Sequence, residues 1–460
     1  MKKSTFILLF VFAFSACQKV ELTFPPDNQI LAEEALQTPE DLQKFLNSCY
    51  DVLANTYNGN CQNIASLQAD NLAAPNSHLD YLEVYNRNTI FFNGTVGGYY
   101  KQPYITIYRC NYLLESVDFI SGLSTDDRSR MIAEARFIRS LCHFDLVRLF
   151  AHPYGYTASN SHNGIIIKNN TNPDPIPRNS VQEVYDFMIS ELTEIATDLP
   201  LNNGNYANEF AAHALLAKIY FQKNEMELAV QSANKVIDEG AYALDNDSLF
   251  LHRFRASDSQ EAIFSIISTS NFDNRAGGFT GSYRSDINAN PTLRASDEIY
   301  DLSKRLGTEE DLRSAWFEER NVGAENAFVA INKFDREYFN IPLLHLTELH
   351  LMRAEANARI GHVSAAVADV NLIMSRAYRT DALLLDMAVA QEELLQVIER
   401  ERRLELCFEG DRIHYLRRKG AFEENDLLIR GADWDCDGFL LQFPATEQTA
   451  VFEPNPSGGC

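Results

Sequence analysis

Tryptophan is scarce, with 2 residues in 460, and positive charge is in short supply: 40 Lys and Arg stand against 64 Asp and Glu, a formal net charge of −24. So acidic a chain is a poor partner for DNA, RNA or an anionic membrane surface, and no nucleic acid is expected. Long apolar runs are missing as well. Beyond the N-terminus no stretch approaches the roughly 20 residues that cross a bilayer. The 8 cysteines include no CxxC and no Cys/His cluster, which argues against a zinc site. GxSxG, HExxH, the P-loop and the dinucleotide-binding glycine fingerprint are all absent. His345 and His350 are five apart, not the four that stacks two ligands one helical turn apart. No catalytic residue, cofactor or metal is therefore expected, although the many carboxylates leave a glycosidase pair open by counting alone.

What is present begins with an export signal. Lys2 and Lys3 precede the apolar run Phe6–Phe14, followed by the small residues Ser15 and Ala16 and then Cys17. This is the layout of a cleaved secretory signal over residues 1–16. Small residues ending at Cys17 resemble the lipobox of bacterial lipoproteins, with Phe14 where Leu is commoner. The resemblance implies cleavage before Cys17 and acylation of that residue, with chains such as palmitate. The mature chain, 17–460, would then be anchored to a membrane rather than threaded through it. Seven cysteines remain. Cys49 with Cys61, or Cys436 with Cys460, are conceivable disulfides outside the cytoplasm, while Cys142 and Cys407 sit in apolar helical patterns as buried thiols.

Helix signals dominate. Thr38-Pro39-Glu40-Asp41 supplies an N-cap, an N1 proline and first-turn acids, and Ser180 with Glu183 forms a capping box. Met131–Phe150 is apolar almost all round, the mark of a buried helix. Two helix pairs look alike: Phe210–Gly240, breaking at Lys223-Asn224, and Leu346–Ala377, breaking at Gly361. In each, two alanines twelve apart (Ala217 and Ala229; Ala354 and Ala366) flank the turn and would let antiparallel helices approach closely. That is the logic of tetratricopeptide-type repeats, and equally of two ordinary helical hairpins. Strand signals are few: Ala262–Ile267 and Ile165–Ile167. Leu79–Tyr104, with Gly94, Gly97 and Gly98, and Asn271–Asn290 read as loops, within irregular insertions around 79–104 and 245–340.

The densest charge cluster runs from Glu399 to Arg412. On a helix, Glu401 shares a face with Val397, Leu404 and Phe408, so it needs a cationic partner. A structural ion network of Glu401, Arg402, Arg403, Glu405, Glu409 and Arg412 is preferred over an active-site acid, and Asp145 makes a similar case. For ligand binding, loops combining aromatic rings with polar side chains are the candidates: Asp70, Asn71, Asn76, Tyr81, Tyr85, Asn86 and Arg87, with Tyr283 and Trp316 from the second irregular region.

In order, several blocks resemble the SusD/RagB family of outer-membrane nutrient-binding lipoproteins. They are Ala133–Arg139 with Phe144–Phe150, Pro177–Asp186, Leu215–Tyr220, Leu349–Ala356 with Asn371–Ala377, and Glu401–Arg412 followed by Leu416–Gly420. One departure is Asn455–Cys460, where the family usually ends in an Asn-Pro-Gly-Tyr-like run. The resemblance implies a mainly α fold, a right-handed α-α superhelix with tetratricopeptide-like pairs and a loop-rich remainder. It implies a lipid-anchored cell-surface protein of the outer membrane. Its partners would be a SusC-like TonB-dependent transporter and a nutrient, foremost an oligosaccharide. Two alternatives stay open: a helical scaffold of the transporter without ligand contact, and a peptide binder.

Overall fold

The computed structural model describes residues 36–304, 311–378, 380–447 and 449–460. The signal segment and Cys17 lie outside them. The fold is mainly helical. Its helices are α1 (Pro39–Thr56), α2 (Asn60–Gln68), α3 (Leu79–Tyr85), α4 (Gly94–Ser116), α5 (Thr125–Phe150), α6 (Val181–Ile195), α7 (Glu209–Gln222), α8 (Met226–Glu239), α9 (Asp247–Phe250), α10 (Gly277–Tyr283), α11 (Asp297–Ser303), α12 (Leu346–Arg359), α13 (Val363–Tyr378), α14 (Gln391–Glu405) and α15 (Asp411–Phe422). The strands β1 (Ala262–Ile266), β2 (Phe317–Arg320), β3 (Phe328–Ile331), β4 (Ile341–His345), β5 (Leu428–Ile429) and β6 (Ala432–Asp433) form three two-stranded antiparallel ribbons, β1–β4, β2–β3 and β5–β6.

Local chemistry sets the helix ends. Thr38 and Asp41 exchange side-chain and backbone hydrogen bonds at the start of α1, and Ser180 and Glu183 do the same for α6. The hairpin α7–α8 turns at Asn224 (φ +61°) and α12–α13 at Gly361 (φ +84°). Ala217, Ala229, Ala354 and Ala366 are all buried, and α8 packs on α12, so the two hairpins stack. On the other flank α5 lies between α4 and α6, which is why it is buried from Met131 to its end. Its charges are matched there: Arg130 meets Glu134 at 2.7 Å, Arg139 pairs with Glu191, and Asp145 pairs with Arg148. One apolar core runs from Leu42 through every helix pair to Phe452.

Three local expectations are corrected. Leu79–Tyr104 is not a loop: it holds α3 and the first half of α4. Asn93 caps Val96 N at 2.9 Å and the Asp80 carboxylate accepts from Thr95 N at 2.8 Å. Packing against α1 and α5 then carries the helix through its glycines and Pro103. Ile165–Ile167 is extended but forms no strand. Its backbone is held by Asn179, whose side-chain oxygen accepts from Ile167 N at 3.0 Å where a neighbouring strand would continue. Within Asn271–Asn290, α10 forms where Gly278 presses on Asn58 and Asn60, leaving no room for a Cβ. Cys49 and Cys61 remain buried thiols, as do Cys142 and Cys407, whereas Cys436 and Cys460 form a disulfide closing a 24-residue span. The tail is further held by Asn455, whose amide donates to the carbonyls of Phe150 and Leu441, each at 2.9 Å.

Charge is buried most heavily along α14 and the turn after it. Glu401, Glu405 and Glu409 follow one another at four-residue spacing, and each is almost wholly enclosed. Glu401 is met by Arg313 at 2.7 Å, Arg400 at 2.9 Å and the Tyr378 hydroxyl at 2.6 Å. Glu405 receives Arg253 and Arg376, each at 3.0 Å. Glu409 receives Lys333 at 2.7 Å, Arg253 at 2.9 Å and His345 at 3.0 Å. Arg402 turns to Asp411 at 2.6 Å. Phe408 and Gly410, at φ +66° and +88°, make the turn that brings Glu409 into line.

Glu401→Gln strips a negative charge from between two guanidinium groups and should destabilise the fold by about 3–5 kcal/mol in chemical denaturation. Acid should act in two stages. Burial, reinforced by Arg139, drives His143 down to about 3, and burial with Arg148 and Arg417 drives His414 well below the ordinary histidine range. Burial alone would raise Glu261, yet Arg376 and Arg253 bring it down to about 2; Lys333 and Arg253 likewise outweigh burial and hold Glu409 well below the carboxylate range. In every case the unfolded chain binds protons at a higher pH than the folded one, so stability falls with pH. Thermal unfolding against pH should therefore show a decline setting in near 6.5, from the histidines, and steepening below about 4.5, from the carboxylates.

Candidate functional site

The loop residues singled out from composition prove to be largely internal. The Asp70 carboxylate takes a two-pronged contact from Arg412, both at 3.1 Å, and a third from Arg403 at 3.3 Å. Buried Asn71 accepts from Arg403 Nε at 2.8 Å. Tyr81 is buried, stacked on His78 with centroids 4.1 Å apart, and its hydroxyl accepts from Asn63. Tyr85 is half-buried under the Arg430 guanidinium, 3.8 Å from the ring centre. Arg87 is buried over Phe439 and donates to Ile429 O at 2.6 Å. Asn76 is half-buried and Asn86 exposed. Tyr283 is 0% exposed among Phe279, Phe334 and Phe408. Trp316 is buried, donates to Leu251 O at 3.0 Å and has Lys333 over its ring at 4.3 Å. The expectation that Asn71, Tyr81, Arg87, Tyr283 and Trp316 face a ligand is therefore not met. Asn71 and Arg87 instead tie the 70–87 segment to the C-terminal region, Tyr81 is met by Asn63, Trp316 is tied within the insertion, and Tyr283 packs among aromatic rings.

The accessible aromatic surface lies elsewhere. A groove of about 490 Å³ runs between α4, the segment Ile166–Pro173 and Glu447. Its floor and one wall are Tyr100, Tyr104 and Tyr108, spaced four apart along one helical face, with Lys101 and Ile105 beside them. Exposure rises outward along this stripe, from 2% at Tyr100 to 53% at Tyr108. The opposite wall is fixed rather than mobile. Tyr104 donates to Ile166 O at 3.0 Å, and the Asn111 amide donates to the carbonyls of Lys168 and Asn170 at 3.1 and 3.0 Å. Arg139 in turn holds Asn111 Oδ1 at 2.6 Å. Thr171 is tied to Glu115 through both N–H and hydroxyl, and the Lys168 ammonium donates to the carbonyls of Asn172 and Asp174 at 3.0 and 3.2 Å.

Glu447 closes one end. Burial raises its pKa above the ordinary carboxylate range, against the pull of the Tyr100 hydroxyl and of Lys168 and Lys101. Beside it Ala445 N donates to Phe91 O at 3.3 Å, which joins the groove to an exposed apolar rim of Ile90, Phe91 and Phe92. Aromatic faces with a few fixed polar groups suit a ligand that offers both apolar and hydrogen-bonding faces, such as a sugar. Among the described residues no group of three or more His, Cys, Asp or Glu converges to hold a metal. The four-residue tyrosine repeat was the available sequence signal, hidden by the glycines and Pro103 around it.

Comparison with known proteins agrees with this architecture. A family model described as "Starch-binding associating with outer membrane" matches residues 22–221, which contain most of the groove, and the model of the SusD family matches residues 328–433. Among curated relatives, SusD-like protein P2 of Formosa agariphila is 26% identical over 99% of both chains, and SusD-like protein P38 of the same organism is 24% identical over 88% of both. A SusD superfamily protein from Bacteroides thetaiotaomicron superposes with a TM-score of 0.80 at 22% identity, covering 91% of this chain and 100% of its own. A putative sugar binding protein from Bacteroides vulgatus gives 0.77 at 23% identity, covering 92% and 99%. No described helix is long and apolar enough to cross a membrane. Two matching models in the same order as the sequence blocks, relatives aligned nearly end to end, and the shared helical fold place this chain in the SusD/RagB family, whose members are carbohydrate-binding proteins of the outer membrane.

Proposed function

We propose that this protein is a cell-surface lipoprotein, anchored through Cys17, that captures an oligosaccharide in the Tyr100–Tyr104–Tyr108 groove and passes it unchanged to a SusC-like TonB-dependent transporter. The observation that carries the reading is the groove itself: an apolar, tyrosine-lined trough whose far wall is fixed by hydrogen bonds before any ligand arrives. A preformed wall loses little freedom on binding, so stacking energy appears as affinity. The putative sugar binding protein that shares this fold supports a saccharide over a peptide. The disulfide Cys436–Cys460 supports export, since such bonds persist in oxidising surroundings. The chain is read as one mature unit, 17–460, because a single core links its first described helix to its last residues.

Titration calorimetry against a panel of oligosaccharides tests the site. One class of sugar should bind without turnover, and Tyr108→Ala should weaken it about tenfold, or about 1.4 kcal/mol. Binding unaffected by Tyr108→Ala would move the site elsewhere; sugar products released on incubation would make the protein a hydrolase; and transporter capture without any sugar binding would make it a scaffold. For the anchor, Cys17→Ala should move the protein from the membrane fraction to the soluble fraction and abolish metabolic labelling with a fatty acid. Persistent labelling in that variant would overturn the assignment.

A further inference from the structure

The polar groups along the groove are unevenly free. The Asn111 amide is saturated: both its protons go to backbone carbonyls and its oxygen receives Arg139. The Tyr104 hydroxyl proton is committed to Ile166 O, and the Tyr100 side chain beside it is buried. The neutral groups that usually grip sugar hydroxyls are thus largely engaged within the wall.

Two ammonium groups remain. Lys101 is exposed on α4, and Lys168 faces it from the other wall with one proton left beyond its two carbonyl contacts. Both line the groove that Glu447 also borders. Lys101, Lys168 and Glu447 are the charged side chains lining it. In the lining two cations stand against one carboxylate, in a chain whose net charge is −24, with the Glu115 carboxylate held on Thr171 just outside it. An excess of ammonium groups in the lining favours an anionic ligand there.

Resting on the groove reading above, we propose that the ligand is an acidic oligosaccharide, carrying uronate carboxylates or sulfate esters, with its sugar faces on Tyr104 and Tyr108 and one anionic group held between Lys101 and Lys168. Ammonium groups suit this role because each is a compact charge with rotatable donors, able to meet a carboxylate or a sulfate.

The test uses matched pairs that differ only in charge. Oligogalacturonides are compared with their methyl esters, mannuronate oligomers with theirs, and sulfated chondroitin oligosaccharides with desulfated ones, alongside neutral glucans, on the wild-type chain. An acidic member should bind at least about tenfold more tightly than its neutral partner, and the difference should shrink as salt rises. Lys101→Gln and Lys168→Gln should each reduce that preference several-fold and together remove it. Glu447→Gln should tighten acidic binding, whereas Tyr108→Ala should weaken acidic and neutral partners alike. Lys101, being exposed, serves as the variant that leaves the loop ties of Lys168 intact, and circular dichroism checks each fold. Equal affinity within a pair, or a neutral glucan as the best ligand, would overturn the charge assignment while leaving the groove in place if Tyr108→Ala still weakens binding. Failure of every sugar, acidic and neutral, would remove the groove reading as well.

Discussion

Buried charge governs this fold. Glu401, Glu405 and Glu409 form a line of carboxylates inside the protein, and the cations that neutralise them come from four separate stretches of chain, at Arg253, Arg313, Lys333 and Arg376. Each ion is tolerable only because the others are in place. The insertion, which carries Arg253, Arg313 and Lys333, must therefore assemble together with α13 and α14. Hydrophobic burial supplies the drive to collapse, but it is indifferent to which segment meets which. The ion line is not, and it converts a pile of helices into one arrangement. Arg412 and Arg403 extend the same principle outward by fixing Asp70, and through it the segment that leads to α3 and α4.

Rigidity gained in this way reaches the groove. Arg139 sits on α5, paired with Glu191 of α6, and it also grips Asn111, which holds the carbonyls of the far wall. The binding surface is thus an outgrowth of the packed helices rather than a free loop. A surface fixed beforehand loses little freedom when a ligand docks, so the contacts made there count more fully toward affinity.

Much of this was legible in the chain. Thr38-Pro39, Ser180 with Glu183, Lys223-Asn224 and Gly361 marked helix ends that the structure places there, because caps and turns are decided by neighbours in sequence. The ordered blocks from Ala133 to Gly420 pointed to the family for the same reason that they fold: they are the packed seams. Position in the tertiary fold was not legible. Tyr283 and Tyr108 look alike as residues, and only their neighbours, three aromatic rings in one case and open groove in the other, separate a core ring from an accessible one. Local propensity also misled at α4, where Gly94, Gly97, Gly98 and Pro103 argue for a loop but a cap at Asn93 and two flanking helices impose a long helix. Ile165–Ile167 erred the other way, a β-branched run whose partner is one asparagine.

The bridge between Cys436 and Cys460 closes the span that carries Glu447 into a loop. Inside that closed span Asn455 donates to the carbonyls of Phe150 and Leu441, so the stretch is clamped at its ends and again between them. Reducing that single bond would lengthen the tether on Glu447 and loosen the wall it completes, which couples the shape of the groove to the redox state of its surroundings.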